Sequence, residues 1–234
     1  MDLTNGEMLK EQNSEEVRSI ASITKLMTAL VILDSGQNLL EKIKIEYISG
    51  ISTKLKKGLE VERGQLLHLG LMSSDNLATK LLARHYPGGE AAFIEQMNAK
   101  ARSIGMEHTI FTDPTGLLDT NVSTAQDLIK LLVHSERYDH VREYSTSENT
   151  KVEVPGKKKP GIINFNTTNN LVRKYKDIII SKTGWIRKSG GCLVMLVEDH
   201  VGKRAIVVLN SRNTRTRITD GDLLYGIHSN GKSF

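Results

Sequence analysis

The chain has 234 residues, enough to bury a full core within one domain, and its 38% hydrophobic and 25% charged content excludes a disordered or fibrous chain. Its net charge of +5 is scattered, and the one tight run, Lys157-Lys158-Lys159 between Gly156 and Pro160, reads as a solvated loop; no nucleic-acid motif accompanies it. Cys192 is the only cysteine, which excludes an internal disulfide, and no apolar stretch is long enough to span a membrane.

Met1-Asp2-Leu3-Thr4-Asn5-Gly6-Glu7-Met8-Leu9 sets an Asn-Gly turn between two short runs, a hairpin signal. The sequence enters it without a leader, so an export signal is expected to have been removed. Over residues 22–35, Leu26, Ala29, Leu30 and Leu33 follow helical spacing and Gly36 supplies a stop. Ser22 falls in the first turn of that helix, with Lys25 one turn later on the same face. Residues 37–62 have no clear period and read as loops and small strands. Helices are predicted over 64–72 and 77–86, interrupted by Ser73-Ser74-Asp75-Asn76, with Pro87-Gly88-Gly89 ending the second and a further amphipathic helix over 90–103. Ser123 with Gln126 reads as a capping box heading a helix whose Leu128, Leu131 and Leu132 face inward. Beyond about residue 145 the pattern turns to β, with strands predicted over 178–181, 192–198 and 205–210. Asp199-His200-Val201-Gly202-Lys203 suits the last hairpin loop, and a helix over 215–227 closes the chain. The predicted fold class is α/β: an antiparallel sheet flanked by helices, plus an all-helical subdomain. One domain over residues 1–234 is expected, with about 37–145 as the mainly helical insertion and no second domain.

The run at 178–181 delivers Lys182-Thr183-Gly184 and then Trp185. Taken singly these signals are weak: an edge-strand lysine guards against pairing, Ser22 alone is an N-cap, and Lys25 alone is a surface lysine. Together they carry chemistry. A serine needs a base to become a nucleophile, and Lys25 lies within reach of the Ser22 hydroxyl. A lysine is a base only when neutral, a state favoured by burial and by a second cation, for which Lys182 is the candidate. The N–H groups of Ser22 and Trp185 are the candidate oxyanion hole. Ser74 is placed to pass a proton to a leaving amine, Asn76 to hold the substrate backbone or position Lys25, and Asp75 is read as structural. Thr183 offers a hydroxyl to a substrate carboxylate, and Gly184 room for a peptide added as a strand. His85, His108, His134 and His140 lack metal-ligand spacing, and neither metal nor other cofactor is expected.

The order Ser-x-x-Lys, Ser-x-Asn, Lys-Thr-Gly is shared by serine penicillin-recognising enzymes. With Ile20-Ala21-Ser22-Ile23-Thr24-Lys25-Leu26-Met27-Thr28-Ala29 and Gly105-Met106-Glu107-His108-Thr109-Ile110-Phe111-Thr112-Asp113-Pro114-Thr115-Gly116-Leu117, the chain resembles the low-molecular-mass penicillin-binding proteins, D-alanyl-D-alanine peptidases of peptidoglycan, from about residue 21 to 226. The resemblance implies a β-lactamase/transpeptidase-like fold and an acyl-enzyme mechanism. Ser22 is then the acylated nucleophile, Lys25 the base, Ser74 and Asn76 the second motif, and Lys182, Thr183 and Gly184 the third. It also implies an arginine for the substrate's terminal carboxylate, best matched by Arg217, with Arg215 the alternative. Peptidoglycan stem peptides are the implied partners and β-lactams the inhibitors, with no nucleic acid. The sequence ends after the polar stretch at 229–233 without the membrane anchor of carboxypeptidase relatives, and looks more like the soluble periplasmic D,D-endopeptidases. A class A β-lactamase needs a deacylating Glu, and the Glu-x-x-Leu-Asn pattern is absent between residues 76 and 182. A non-catalytic penicillin-binding sensor is disfavoured because every motif residue is present.

Overall fold

The computed structural model describes residues 1–155, 160–200 and 202–227. The lysine run at 157–159, Val201 of the hairpin loop and the polar stretch at 229–233 lie outside the described residues. In chain order the elements begin with β1 (Arg18–Ser19), a 3-10 turn (Ala21–Ile23) running into α1 (Thr24–Asp34), β2 (Lys42–Lys44) and β3 (Glu60–Glu62). Next come α2 (Arg63–Met72), α3 (Asn76–Arg84), α4 (Gly89–Ser103), β4 (Val122–Ser123), α5 (Ala125–Ser135) and α6 (Asp139–Thr146). The remainder is β5 (Asn149–Val154), β6 (Gly161–Asn166), α7 (Leu171–Lys174), β7 (Ile178–Ile186), β8 (Gly190–Glu198), β9 (Lys203–Ser211) and α8 (Thr216–Tyr225).

The main sheet is antiparallel with β8 between β7 and β9. β8 carries a continuous apolar run because both its faces are covered. Cys192, Val194 and Leu196 join Ile180 and Ala205 in the larger core, while Leu193, Met195 and Val197 pack with Ile178, Ile206, Val208, Leu171 and Val172. α8 lies over the second face, where Tyr175 and Tyr225 stack with ring centroids 3.6 Å apart. On the first face sits the helical lobe, centred on α1, which is buried from Thr24 through Ile32. A helix without a solvent face is a core helix, each large side chain contributing about 1.5–3 kcal/mol of burial. α1 is thereby a rigid platform for whatever its first turn carries.

The sheet with its helical lobe is the α/β class read from the sequence, with local differences. The Asn-Gly turn forms, closed by Asp2 N–H donating to the Glu7 carbonyl at 2.8 Å with Gly6 at φ +76°. No strand follows it; instead Asp2 bridges Arg204, so the segment attaches to the edge of β9. The helix cap falls one residue later than predicted: Thr124, not Ser123, accepts from Asp127 N–H at 3.1 Å. Ser123 is occupied in the β1–β4 pair and with the Thr109 hydroxyl, and the Gln126 amide reaches Ser14. The helical lobe also holds the β2–β3 ladder, so it is not all-helical. Finally, the strand expected at 178–181 continues to Ile186, which places Lys182-Thr183-Gly184 inside an edge strand.

Candidate active site

Ser22 is half-buried in the 3-10 turn that starts α1. The residue before it, Ala21, is fully buried and adopts φ +45°, a left-handed conformation that costs about 1–2 kcal/mol in an L-residue and that survives only where its surroundings enforce it. Two glycines leave the room it needs. A Cβ on Gly116 would lie 1.9 Å from the Ala21 carbonyl oxygen, and one on Gly184 would lie 2.9 Å from the Ser22 nitrogen. Gly184 thus makes room for the nucleophile turn, whereas the sequence had assigned it to an incoming peptide.

Lys25, 1% exposed, donates from Nζ to three oxygens: Ser22 Oγ at 2.8 Å, Asn76 Oδ1 at 2.7 Å and the Thr115 carbonyl at 2.6 Å. Two of these are acceptors only, so they claim the two hydrogens of a neutral amine. The lone pair is then left facing the Ser22 hydroxyl, which can supply a proton. Burial pushes the Lys25 pKa down to about 7, against the pull of Asp113 and Asp75. The amine therefore reaches its neutral form near neutral pH.

The second motif sits where α2 ends and α3 begins. Ser74 takes φ +59°, and Asp75 caps α3 by accepting from Ala78 N–H at 2.9 Å and from the Thr53 hydroxyl at 2.8 Å. Asp75 is structural, as the sequence indicated, and the turn it caps carries the Asn76 amide to Lys25.

Lys182, also 1% exposed, donates to the Thr183 carbonyl at 2.8 Å. Its pKa falls well below the usual lysine range through burial first, then repulsion by Lys25 and Arg217. The sequence credits Lys182 with lowering the pKa of Lys25 as a second cation. In the structure Lys25 makes the bond to Ser22, and burial is the first cause of its lowered pKa. Repulsion between the two amines is mutual and joins burial in lowering the pKa of Lys182. The Thr183 hydroxyl donates to Thr168 Oγ1 at 2.6 Å, so a substrate carboxylate must displace that bond. Arg217 is buried and donates from Nη1 to the Gly184 carbonyl at 2.6 Å, with its buried Nε unpartnered, while Arg215 is exposed at the start of α8. Across the same trans peptide unit the Trp185 N–H points away from Arg217, toward the unpaired edge of β7.

Sequence reasoning missed residues outside the three motifs. Thr168 links Thr183 to the Met72 carbonyl at the end of α2, and Asp113, Thr115 and Asn121 back the nucleophile turn. The signal for the loop was Asp113-Pro114-Thr115-Gly116, a side-chain acceptor followed by turn residues. Among the described residues no group of three or more His, Cys, Asp and Glu side chains is placed to hold a metal ion, and no helix is long and apolar enough to cross a membrane.

A serine hydroxyl bonded to a buried, deprotonatable lysine amine, on a core helix beside an edge strand, is the arrangement that serine–lysine acyl transfer requires. Residues 1–213 match the D-alanyl-D-alanine carboxypeptidase family S11, and the chain belongs to that peptidase family. It is 40% identical to a D-alanyl-D-alanine endopeptidase of Escherichia coli strain K12, over 96% of this chain and 74% of the relative. The corresponding protein of Pseudomonas aeruginosa is 39% identical, over 95% of this chain and 73% of its own length. Among solved structures, the Streptomyces K15 DD-transpeptidase superposes with a TM-score of 0.85 at 27% identity, covering 95% of this chain and 92% of that one. Penicillin-binding protein D2 of Listeria monocytogenes, solved with ampicillin bound, gives 0.80 at 28% identity, with 96% and 92% covered.

Proposed function

We propose that the protein is a serine D,D-peptidase of peptidoglycan that cleaves D-alanyl cross-links between stem peptides through an acyl-enzyme and is covalently inhibited by penicillin. The observation that carries this reading is the Lys25 amine, held 2.8 Å from Ser22 Oγ by two carbonyl acceptors. Lys25 takes the Ser22 proton as Oγ attacks the D-alanyl carbonyl, and the N–H groups of Ser22 and Trp185 receive the oxyanion. The proton taken by Lys25 passes through the Ser74 hydroxyl to the departing amine as the C–N bond breaks. Water then hydrolyses the Ser22 ester, with Lys25 taking the water proton and returning one to Ser22 Oγ; Asn76 and Lys182 order the site. Thr183 and Arg217 receive the carboxylate on the leaving residue. Endopeptidase action is favoured over carboxypeptidase action by the relatives: those named endopeptidases are 35–40% identical, whereas the Bacillus subtilis carboxypeptidase DacF is 28% identical. The chain acts as one catalytic domain in an exported, periplasmic setting.

Mass spectrometry after benzylpenicillin treatment tests the chemistry. The expected result is one covalent adduct that is absent in Ser22→Ala; an adduct persisting in that variant refutes the assignment. Digestion of cross-linked muropeptide dimers beside monomeric pentapeptides then decides specificity, with faster cleavage of dimers expected.

A further inference from the structure

The loop at residues 113–118 lies outside the three motifs yet touches both catalytic partners. Asp113, 3% exposed, uses Oδ1 to accept from the N–H and hydroxyl of Thr115 and from Gly116 N–H at 2.9 Å, and Oδ2 to accept from Leu118 N–H at 2.9 Å. Four donors converge on one buried carboxylate, and the chain around it is thereby wound into a fixed turn. That turn aims the Thr115 carbonyl at Lys25 Nζ and presses Gly116 against Ala21. Behind it, the fully buried Asn121 accepts from Thr112 and Asp113 N–H and donates to the Asp113 carbonyl at 2.8 Å and to Thr24 Oγ1 at 2.9 Å. Thr24 in turn donates to the Ala21 carbonyl at 2.7 Å, so the loop and the nucleophile turn are joined through one network.

We infer that Asp113 is a positioning residue for the general base: by gathering the 115–118 backbone it fixes the Thr115 carbonyl on the Lys25 amine and so directs the amine's lone pair at Ser22. The inference deepens the peptidase reading above and rests on it. Without the Thr115 acceptor, one N–H of the neutral amine is free to turn toward Ser22 Oγ, and the lone pair then points away from the proton it must take. Asp113 also acts by charge. The charged groups acting on Lys25 are Asp113 and Asp75, which favour its protonated form, and Lys182, itself repelled by Arg217, which disfavours it. Removing one of the two negative charges makes the amine easier to deprotonate, so the acid limb of the rate profile moves to lower pH.

The experiment measures the second-order rate of acylation by benzylpenicillin from about pH 5 to about pH 9, with folding checked by thermal denaturation, on wild type, Asp113→Asn, Asp113→Glu and Thr115→Val. In Asp113→Asn the amide NH2 faces the Leu118 N–H and the charge is gone. The expected outcome is a plateau lowered about tenfold with its acid limb displaced to lower pH, since a misdirected base forfeits part of the ~10²–10⁴ that such catalysis supplies. Asp113→Glu, which keeps the charge, should restore the position of the limb but not the plateau. Thr115→Val removes, without touching charge, the hydroxyl that donates to Asp113 and accepts from Leu117 N–H, and should lower the plateau severalfold with the limb unmoved; it decides the matter should Asp113→Asn not fold. A folded Asp113→Asn with the wild-type limb and plateau, or a Thr115→Val plateau equal to wild type, overturns the inference. Failure of the wild type itself to be acylated at Ser22 strikes the peptidase reading instead.

Discussion

Replacing Gly116 by alanine isolates how far the reaction depends on the Ala21–Ser22 turn. The added Cβ would stand 1.9 Å from the Ala21 carbonyl oxygen, 2.3 Å from its carbon and 2.9 Å from the Ser22 nitrogen, where ordinary contact starts at 3.4 Å. Every atom it meets is backbone, so no side chain can swing clear. The turn must retreat by more than an ångström, and a displacement of about 1 Å at a reacting group costs on the order of 10²-fold in rate. Gly116 also sits at φ +77°, which adds about 1–2 kcal/mol of strain for alanine, or a melting temperature lower by roughly 2–8 °C in a chain of this size.

Gly105→Ala separates the two effects. Gly105 has φ +76°, but its added Cβ would find only Lys130 Cδ, at 4.0 Å. Both variants should melt earlier, and only Gly116→Ala should lose benzylpenicillin acylation, by about a hundredfold. Stopped-flow acylation beside calorimetry reads both quantities. A Gly116→Ala protein acylated within a few-fold of the wild-type rate would show that the turn is not held by this contact, and the positional argument would be wrong.

Two further outcomes follow from the same geometry. Because burial brings Lys25 to about pKa 7 and the neutral amine is the base, the acylation rate should be level above that pH and fall tenfold per unit below it; a rate unchanged on moving from about pH 8 to about pH 5 refutes Lys25 as base. Thr124→Ala, which removes the α5 cap, should cost about 1 kcal/mol and lower the melting temperature by about 2–4 °C while leaving acylation intact, and an unchanged melting curve in scanning calorimetry counts against the cap.

The motifs were legible because each has a local signature: a step of three from Ser22 to Lys25 makes about one helical turn, and a β-branched run announces the strand that carries Lys182-Thr183-Gly184. What stayed hidden is long-range. Nothing local to Gly184 says that the Ile20–Ser22 backbone passes over it, and nothing near Thr115 says that its carbonyl meets an amine 90 residues earlier in the chain. The misplaced cap has a similar cause. Ser123 and Thr124 are both good caps by composition, and the β1–β4 pairing with Arg18, more than a hundred residues away, occupies the first and leaves the second for Asp127 N–H. The N-terminal turn was read correctly, but its strand partner proved to be Arg204 at the far end of the chain.

The surroundings of Lys25 also explain how one group can both take and return a proton. A neutral amine needs two acceptors and one donor, and a protonated one needs three acceptors. Asn76 Oδ1 and the Thr115 carbonyl serve as acceptors in either state, and the Ser22 hydroxyl can play donor or acceptor by rotating its hydrogen. Neither protonation state therefore leaves a hydrogen unsatisfied in the interior, where such a loss costs about 1–3 kcal/mol. A carboxylate in direct contact would spoil this by stabilising the ammonium alone. Asp75 and Asp113 are near enough to pull on the amine, but both are committed elsewhere: Asp75 to Ala78 N–H and Thr53, Asp113 to the 115–118 backbone. By occupying its two acids with backbone N–H groups and two hydroxyls, the fold keeps them from claiming the proton and, in the proposed mechanism, leaves Lys25 to exchange it with Ser22.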